Sequence, residues 1–118
     1  MKGKVAIITG AGGAVGRSIS KRLFSEGCKV VLLGRDLGKL SKAAADLGDK
    51  KHILTVSADI TKEAEVLSAV EQTIETFDKI DTLVNNAGTI NDPVPFHEMS
   101  EVQWSELINT NLIGTFQI

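Results

Sequence analysis

Short apolar runs alternate along the chain with longer stretches of mixed polarity. The first run, residues 5–9, is apolar up to its final threonine, which is typical of a strand buried on both faces of a parallel sheet. Further runs occupy residues 30–33, 52–57 and 82–85. Their lengths suit strands rather than helices. The pattern therefore predicts four strands.

The stretches between these runs carry apolar residues at spacings of three or four, which predicts helices. The spacing is seen at Val15, Ile19 and Leu23 in the first helix and at Leu67, Val70, Ile74 and Phe77 in the third. Gly27 is suited to end the first helix, and Asp36 is suited to cap the second. Ser100 with Gln103 predicts a capping box for the last helix, which begins at Glu101.

Strands that alternate with helices of this length predict right-handed β-α-β units. The expected fold class is α/β, a Rossmann-like doubly wound parallel sheet in the order 3-2-1-4, with helices on both faces. We expect residues 1–118 to form one domain. In such a sheet a nucleotide crosses at the switch point between strands 1 and 4.

A glycine-rich turn, T-G-A-G-G-A-V-G at residues 9–16, joins the first strand to the first helix. Glycines let the backbone approach a pyrophosphate closely, and the free amides at the helix start attract its charge. The turn departs from G-x-G-x-x-G, since Val15 stands at the sixth position. It is also close to a P-loop in which Arg17 replaces lysine, although the two residues are not interchangeable there. It fits T-G-x-x-x-G-x-G better, with Ala14 at the middle glycine.

Composition and charge narrow the function classes. Apolar content of 42% and charged content of 24% are ordinary for a globular protein. A net charge of −2, with no basic block, argues against a nucleic-acid partner. No apolar run is long enough to span a membrane. The single Cys28 and the lack of a signal-peptide pattern predict a cytoplasmic protein. His52 and His97 have no ligand pattern around them, so we expect no metal.

Four motifs, read together, resemble one family. They are the turn at residues 9–16, Asp59-Ile60-Thr61, Asn85-Asn86-Ala87-Gly88 and Asn111-Leu112-Ile113-Gly114. In this order the chain resembles, along its whole length, the N-terminal half of short-chain dehydrogenases/reductases. The resemblance implies an NAD(P)-dependent oxidoreductase that transfers hydride between the dinucleotide and a small alcohol or ketone. It also implies a homo-oligomer.

The resemblance further assigns roles to individual residues. The expected cofactor-binding set is Gly10, Gly12, Gly13, Ala14, Val15, Gly16, Arg35, Asp59, Ile60, Asn86, Ala87 and Gly88. Within it the amides of residues 12–15 hold the pyrophosphate, Asp59 accepts a hydrogen bond from the adenine amino group beside Ile60, and residues 86–88 line the adenosine ribose. Asn85 ties strand 4 to its neighbours. The alternative for Asp59 is a helix cap after Thr61.

Asn111 matches the family's catalytic asparagine, whose backbone carbonyl holds a water of the proton relay. An asparagine in the middle of a helix is unfavourable for helix stability, so it needs a reason to be there. Function is the reason that we favour over chance.

The choice of cofactor depends on the end of strand 2. An NAD enzyme places a carboxylate there to hold the ribose hydroxyls. Gly34 occupies that position, and the following Arg35 is suited to a 2′-phosphate. Asp36 is the counter-evidence, although it comes one residue too late. NADP is therefore expected, with NAD as the second choice.

The sequence contains no tyrosine. In the family that the chain resembles, a tyrosine acts as general acid/base and is supported by a lysine and a serine, all beyond the helix in which this sequence stops. We therefore expect the chain to be a cofactor-binding fragment that is inactive alone. The alternative is a non-catalytic nucleotide-binding or sensor protein with the same fold.

Overall fold

The computed structural model describes residues 1–48 and 50–118. The strands are β1 (Val5–Thr9), β2 (Lys29–Gly34), β3 (Ile53–Ser57) and β4 (Thr82–Val84). The α-helices are α1 (Ala14–Ser25), α2 (Leu37–Leu47), α3 (Glu63–Phe77), α4 (Glu101–Ile108) and the short α5 (Thr115–Gln117). Single 3₁₀ turns lie at Lys50–His52 and Phe96–Glu98, and a π-helical turn lies at Asn109–Gly114.

The strands form one parallel sheet in the order β3-β2-β1-β4. This confirms the predicted order, fold class and parallel pairing. In the register, Thr9 lies beside Leu33 and Gly34 lies beside Ser57. The carboxyl ends of β1, β2 and β3 therefore meet at one edge of the sheet, where each continues into a loop.

The core lies on both faces of this sheet because alternate residues of each strand point to opposite sides. On one face Ala6, Ile8 and Leu32 pack with Leu40 and Ala43 of α2. On the other face Val5, Ile7, Val31 and Leu33 pack with Ala69 and Phe77 of α3. β1 is buried at all five positions, as its apolar sequence predicted.

The predicted helix ends are confirmed. Gly27, with φ of +83°, follows the last turn of α1. The Asp36 side chain accepts a hydrogen bond from the Lys39 amide at 3.0 Å and so caps α2. Ser100 and Gln103 form the predicted capping box at the start of α4.

In two helices the apolar positions that predicted the helix are only partly the buried ones. In α3 the buried residues are Val66, Ala69, Thr73 and Phe77, whereas Leu67 is 56% exposed and Ile74 is 42% exposed. The small Ala69 and Thr73 face the sheet, and the Thr73 hydroxyl donates to the Ala69 carbonyl at 2.7 Å. Because this hydroxyl is satisfied within the helix, it is buried at little cost. In α1 the first predicted apolar position, Val15, is exposed, whereas Ile19 and Leu23 pack against the core.

The sequence pattern predicted one continuous final helix from Glu101 onward. This prediction is wrong. After α4 the backbone widens into the π-helical turn and then tightens again in α5. Gly114 is buried at the end of this turn, and a Cβ there would lie 2.8 Å from Cγ1 of Ile60. The glycine therefore lets the turn pack closely on the loop after β3.

Across residues 1–48 and 50–118, none of the helices has both the length and the apolar character needed to cross a bilayer.

Candidate functional site

A cleft of about 100 Å³ lies at the carboxyl edge of the sheet. Its lining residues come from the ends of all four strands and from the π-helical turn: Gly10, Leu33, Gly34, Arg35, Ala58, Asp59, Ile60, Ala87, Gly88 and Thr110. Six of these belong to the predicted cofactor-binding set. The contribution of Thr110 was missed because it depends on how the last helix folds back onto the sheet.

The glycine turn brings the backbone of the first loop against that of the loop after β4. Gly10 has φ of +64°, which favours glycine. A Cβ on Gly10 would lie 2.9 Å from Cα of Ala87. A Cβ on Gly16 would overlap the Gly10 carbonyl oxygen and lie 2.7 Å from Cα of Ala11. Both glycines are therefore needed for packing within the protein.

Gly13 differs from these two glycines because space is open around it. Its Cβ would meet only the Gly10 carbonyl oxygen, at 3.5 Å. Gly13 is also the N-cap of α1, it has no side chain to satisfy the first amides, and the first turn contains no acidic residue. The following Ala14 and Val15 are exposed. An anion therefore has room and unpaired amides at this end of α1.

Gly12 faces α2 rather than open space. A Cβ on Gly12 would lie 2.9 Å from the Cβ of Lys39. Arg17 also lies against α2, since its guanidinium donates to the Lys39 carbonyl at 3.4 Å and lies 3.9 Å from the Asp46 carboxylate. In a P-loop the corresponding lysine reaches the phosphates. The contacts of Arg17 therefore disfavour the P-loop interpretation.

A hydrogen-bonded junction joins the ends of β1 and β4. The Thr9 hydroxyl oxygen accepts from the amides of Asn86 and Ala87 at 3.0 and 2.9 Å. The Asn86 side-chain amide donates to the Thr9 carbonyl at 2.9 Å and to the Gly10 carbonyl at 3.3 Å. The predicted tie between strand 4 and its neighbour is thus made by Asn86, where we had expected Asn85.

The loop after β2 places Arg35 and Asp36 in different surroundings. Arg35 is exposed and lines the cleft. Asp36 is turned towards α2, where its carboxylate caps the helix. Gly34, the last residue of β2, has no side chain to fill the cleft, and its Cβ position would touch only Leu40.

Asp59 lies in the loop between β3 and α3. One carboxylate oxygen, Oδ1, accepts from the amide and the hydroxyl of Thr61 at 2.9 and 2.8 Å. Burial raises the pKa of this carboxyl, but the two Thr61 hydrogen bonds and the nearby Arg35 and Lys62 outweigh it, so its pKa lies below the ordinary value. The alternative helix-cap role is wrong, because Lys62 is the N-cap of α3.

Asn111 lies in the π-helical turn and pairs with the loop that follows β4. Its side-chain oxygen accepts from the Thr89 amide at 2.8 Å, and its side-chain nitrogen donates to the Thr89 carbonyl at 2.9 Å. The pairing gives a polar side chain in mid-helix a structural reason to be there. The pairing also brings the backbone of Gly88 close to the turn. A Cβ on Gly88 would lie 3.2 Å from Oδ1 of Asn111, so a glycine suits this close approach.

The geometry agrees with what comparison with known proteins finds. The family model for short chain dehydrogenases matches residues 4–118. The chain belongs to this family. Among its curated relatives, the chain is 38% identical over 117 residues to an uncharacterized oxidoreductase of Staphylococcus saprophyticus, covering 98% of the chain and 50% of the relative. It is also 36% identical over 123 residues to the 3-oxoacyl-[acyl-carrier-protein] reductase of Aquifex aeolicus, covering 100% of the chain and 48% of the relative.

Solved structures of short-chain dehydrogenases show the same fold. The 3-ketoacyl-(acyl-carrier-protein) reductase of Brucella melitensis, complexed with NADH, matches with a TM-score of 0.93 at 39% identity, covering 98% of this chain and 47% of that one. A xylitol dehydrogenase bound to NAD⁺ matches with a TM-score of 0.92 at 31% identity, covering 98% of this chain and 45% of that one.

The comparisons confirm the family and the fold class, and the two solved neighbours hold NADH and NAD⁺. They give no support to the alternative of a non-catalytic sensor. The chain spans about half the length of the curated relatives it matches.

Proposed function

We propose that residues 1–118 form the N-terminal, nucleotide-binding part of an NADP-dependent oxidoreductase that interconverts alcohols and ketones. The observation that carries the proposal is the cleft, where Arg35 and Asp59 lie at the same sheet edge as Gly10 of the glycine turn. In open α/β sheets, nucleotides bind outside the carboxyl ends of the strands.

The cleft and the start of α1 suit successive parts of a dinucleotide. The open amides after Gly13 are placed to hold the pyrophosphate. Asp59, with the Ile60 backbone beside it, is placed to read the adenine amino group. Ala87 and Gly88 line the cleft on its β4 side, where the ribose would lie. Asn86 contributes by holding this backbone against Thr9 and Gly10.

The surroundings of Arg35 and Asp36 favour NADP over NAD. A carboxylate that holds the ribose hydroxyls must be available at the end of β2. The Asp36 carboxylate is instead hydrogen-bonded to the first turn of α2. The exposed Arg35 guanidinium carries the positive charge that a 2′-phosphate requires.

A nicotinamide held in the cleft would supply or accept the hydride, and the residues of the cleft would orient it. Asn111 is proposed as a member of the proton relay through its backbone carbonyl. Its place in a π-helical turn supports this, because such turns occur frequently at functional sites. With no tyrosine in its sequence, the 118-residue chain is expected to bind the dinucleotide without catalysing turnover.

Two further features belong to this proposal. Self-association into a homo-oligomer is supported by exposed apolar side chains on the turn and on α5, since Leu112 is 61% exposed and Phe116 is 88% exposed. A cytoplasmic location is supported by the single free cysteine, Cys28.

The cofactor proposal is tested by titrating the chain with NADPH and with NADH, in the wild type and in Arg35→Ala. Loss of a charge-assisted phosphate contact is expected to weaken NADPH binding about tenfold or more. NADH binding is expected to change less than about twofold, because NADH lacks the phosphate. Arg22→Ala is the control, since Arg22 in the last turn of α1 pairs with Glu26, the C-cap of that helix, away from the cleft.

Equal losses for NADPH and NADH in Arg35→Ala would show that Arg35 does not read the 2′-phosphate. A wild-type chain that binds neither dinucleotide would contradict the proposed function as a whole.

A further inference from the structure

The carboxylate of Asp59 has one oxygen committed and one available. Oδ1 accepts both hydrogen bonds from Thr61. In the part of the chain that the structure describes, no hydrogen bond is made to Oδ2. Since Asp59 lines the cleft, Oδ2 is the oxygen that an amino group in the cleft would reach.

The direction of this carboxylate depends on how the loop backbone is held. The loop closes on itself, because the Lys62 amide donates to the Asp59 carbonyl at 3.0 Å. The Asp59 amide points out of that turn and donates to Oε2 of Glu65 at 2.7 Å. The carbonyl, the carboxylate and the amide of Asp59 are thus all hydrogen-bonded.

Glu65 makes this contact from an unusual distance along the chain. It is the third residue of α3, whose N-cap is Lys62. In a capping box the acidic side chain at this position accepts from the N-cap amide. Glu65 instead reaches back beyond the N-cap to an amide six residues before it. Its negative charge is favoured at this end of the helix.

Lys62 holds the other oxygen of Glu65. Its ammonium lies 3.0 Å from Oε1, so the two oxygens of Glu65 have different partners. The Asp59 amide and Lys62 together hold the pKa of Glu65 below its ordinary value. The carboxylate therefore stays charged, and Lys62 offsets its repulsion of Asp59.

We propose that Glu65 is a positioning residue that fixes the backbone of Asp59 and so aims the Asp59 carboxylate at the amino group of an adenine in the cleft. The inference rests on the proposed function, since it takes a dinucleotide as the ligand. Removal of Glu65 frees the Asp59 amide and lets the loop turn, which costs the contact with the base and leaves the phosphate contacts in place.

A base analogue isolates this contact. Hypoxanthine carries a carbonyl where adenine carries its amino group, so it offers an acceptor instead of a donor to the Asp59 carboxylate. We would measure dissociation constants for NADPH and for its hypoxanthine counterpart by fluorescence titration. The variants are Glu65→Ala, Glu65→Gln and Glu63→Ala, and a thermal melt of each checks its folding.

The wild type is expected to prefer the adenine dinucleotide. Glu65→Ala is expected to weaken adenine binding about three- to tenfold while changing hypoxanthine binding less than twofold. Glu65→Gln retains an acceptor for the Asp59 amide and should keep most of the preference. Glu63→Ala, which removes an exposed charge from the same helical turn, should leave it unchanged.

The possible failures differ from one another. Equal weakening of both dinucleotides in Glu65→Ala, or no weakening of either, would overturn the role of Glu65 and leave the proposed function standing. A wild type that binds both dinucleotides equally well would overturn the reading of adenine by Asp59, and the role of Glu65 with it. A wild type that binds neither would overturn the proposed function.

Discussion

Leu32 and Leu112 are identical side chains in two regions of the chain that are held together differently. Leu32 lies at the centre of the sheet in β2 and has no exposed surface, whereas Leu112 in the π-helical turn is 61% exposed. Leu32 belongs to the apolar core on one face of the sheet, and a second apolar core covers the other face of β1 and β2. Around Leu112, in residues 85–118, other large apolar side chains are also exposed, among them Ile90, Phe96 and Phe116.

In residues 85–118, hydrogen bonds between polar residues hold the loop after β4 against α4 and the π-helical turn. Asn111 pairs with Thr89 through two hydrogen bonds, and the Asn91 side chain donates to the Gln103 carbonyl at 3.0 Å. Such bonds fix positions but contribute less to stability than burial of large apolar surfaces. We infer from this difference that β1 and β2 contribute most of the chain's stability. The less buried region still contributes Gly88 and Thr110 to the lining of the cleft.

Truncation of the two leucines should show the largest difference. Leu32→Ala removes a fully buried side chain, and we expect it to lower the free energy of unfolding by about 2–5 kcal/mol. Leu112→Ala should change it by less than about 0.5 kcal/mol, because the side chain is largely exposed. Urea unfolding followed by circular dichroism measures both. Similar losses in the two variants would show that the two regions are equally packed.

Substitutions at two glycines of the turn should affect different properties, the free energy of unfolding at Gly16 and NADPH binding at Gly13. Gly16→Ala forces a methyl group against the Gly10 carbonyl, and we expect a loss of about 1–3 kcal/mol in the free energy of unfolding. Gly13→Ala should cost less than about 1 kcal/mol, because its Cβ position is open. Its methyl group would instead stand where the pyrophosphate approaches.

Unfolding and NADPH titration of both variants check this prediction. A Gly13→Ala variant that binds NADPH as well as the wild type would contradict the assignment of that space to the phosphates.

A smaller effect is expected where β4 joins the sheet. The Asp81 carboxylate accepts from the Lys4 ammonium and from the Val5 amide, each at 2.9 Å, and pairs with Lys79. Lys4, then the Val5 amide and Lys79, hold the pKa of Asp81 well below its ordinary value. The folded pKa is therefore lower than the unfolded one, near 3.9. The stabilisation is present above about pH 4 and is lost as the pH falls further.

Asp81→Asn should accordingly reduce the stability at pH 7 and flatten its decline below pH 4. The urea midpoint measured between pH 7 and pH 2.5 reports this decline. Asp78→Asn, at an exposed position in the loop before β4, is the matched control. If the urea midpoint of Asp81→Asn fell with pH as that of the wild type does, Asp81 would not be the residue that stabilises the contact between β4 and β1.

The sequence predicted most of what depends on local pattern. The four strands follow from apolar runs, and the caps at Asp36 and Ser100 follow from short-range hydrogen bonding; the structure has all of them. In α3 the apolar spacing correctly included the buried Phe77, but Leu67 and Ile74 do not approach the sheet. There the small Ala69 and Thr73 allow the closer contact.

The parts of the site that could not be predicted depend on contacts between distant segments. Asn86 rather than Asn85 reaches Thr9 because β4 ends at Val84. The π-helical turn could not be predicted from apolar spacing, because Asn111 and Gly114 have no large apolar side chains. Glu65 was overlooked because the usual capping pattern links positions three residues apart, whereas its bond to Asp59 spans six.

The central claim is that the dinucleotide binds in the cleft at the carboxyl edge of the sheet, across both regions. Hydrogen–deuterium exchange of the chain, with and without saturating NADPH, tests it most directly. We predict slower exchange in residues 10–15, 34–36, 59–61 and 86–88, and no change along the larger groove of about 590 Å³ that Ser41, Ala45 and Thr55 help to line. Protection confined to that groove, or absent from residues 10–15 and 59–61, would contradict the account.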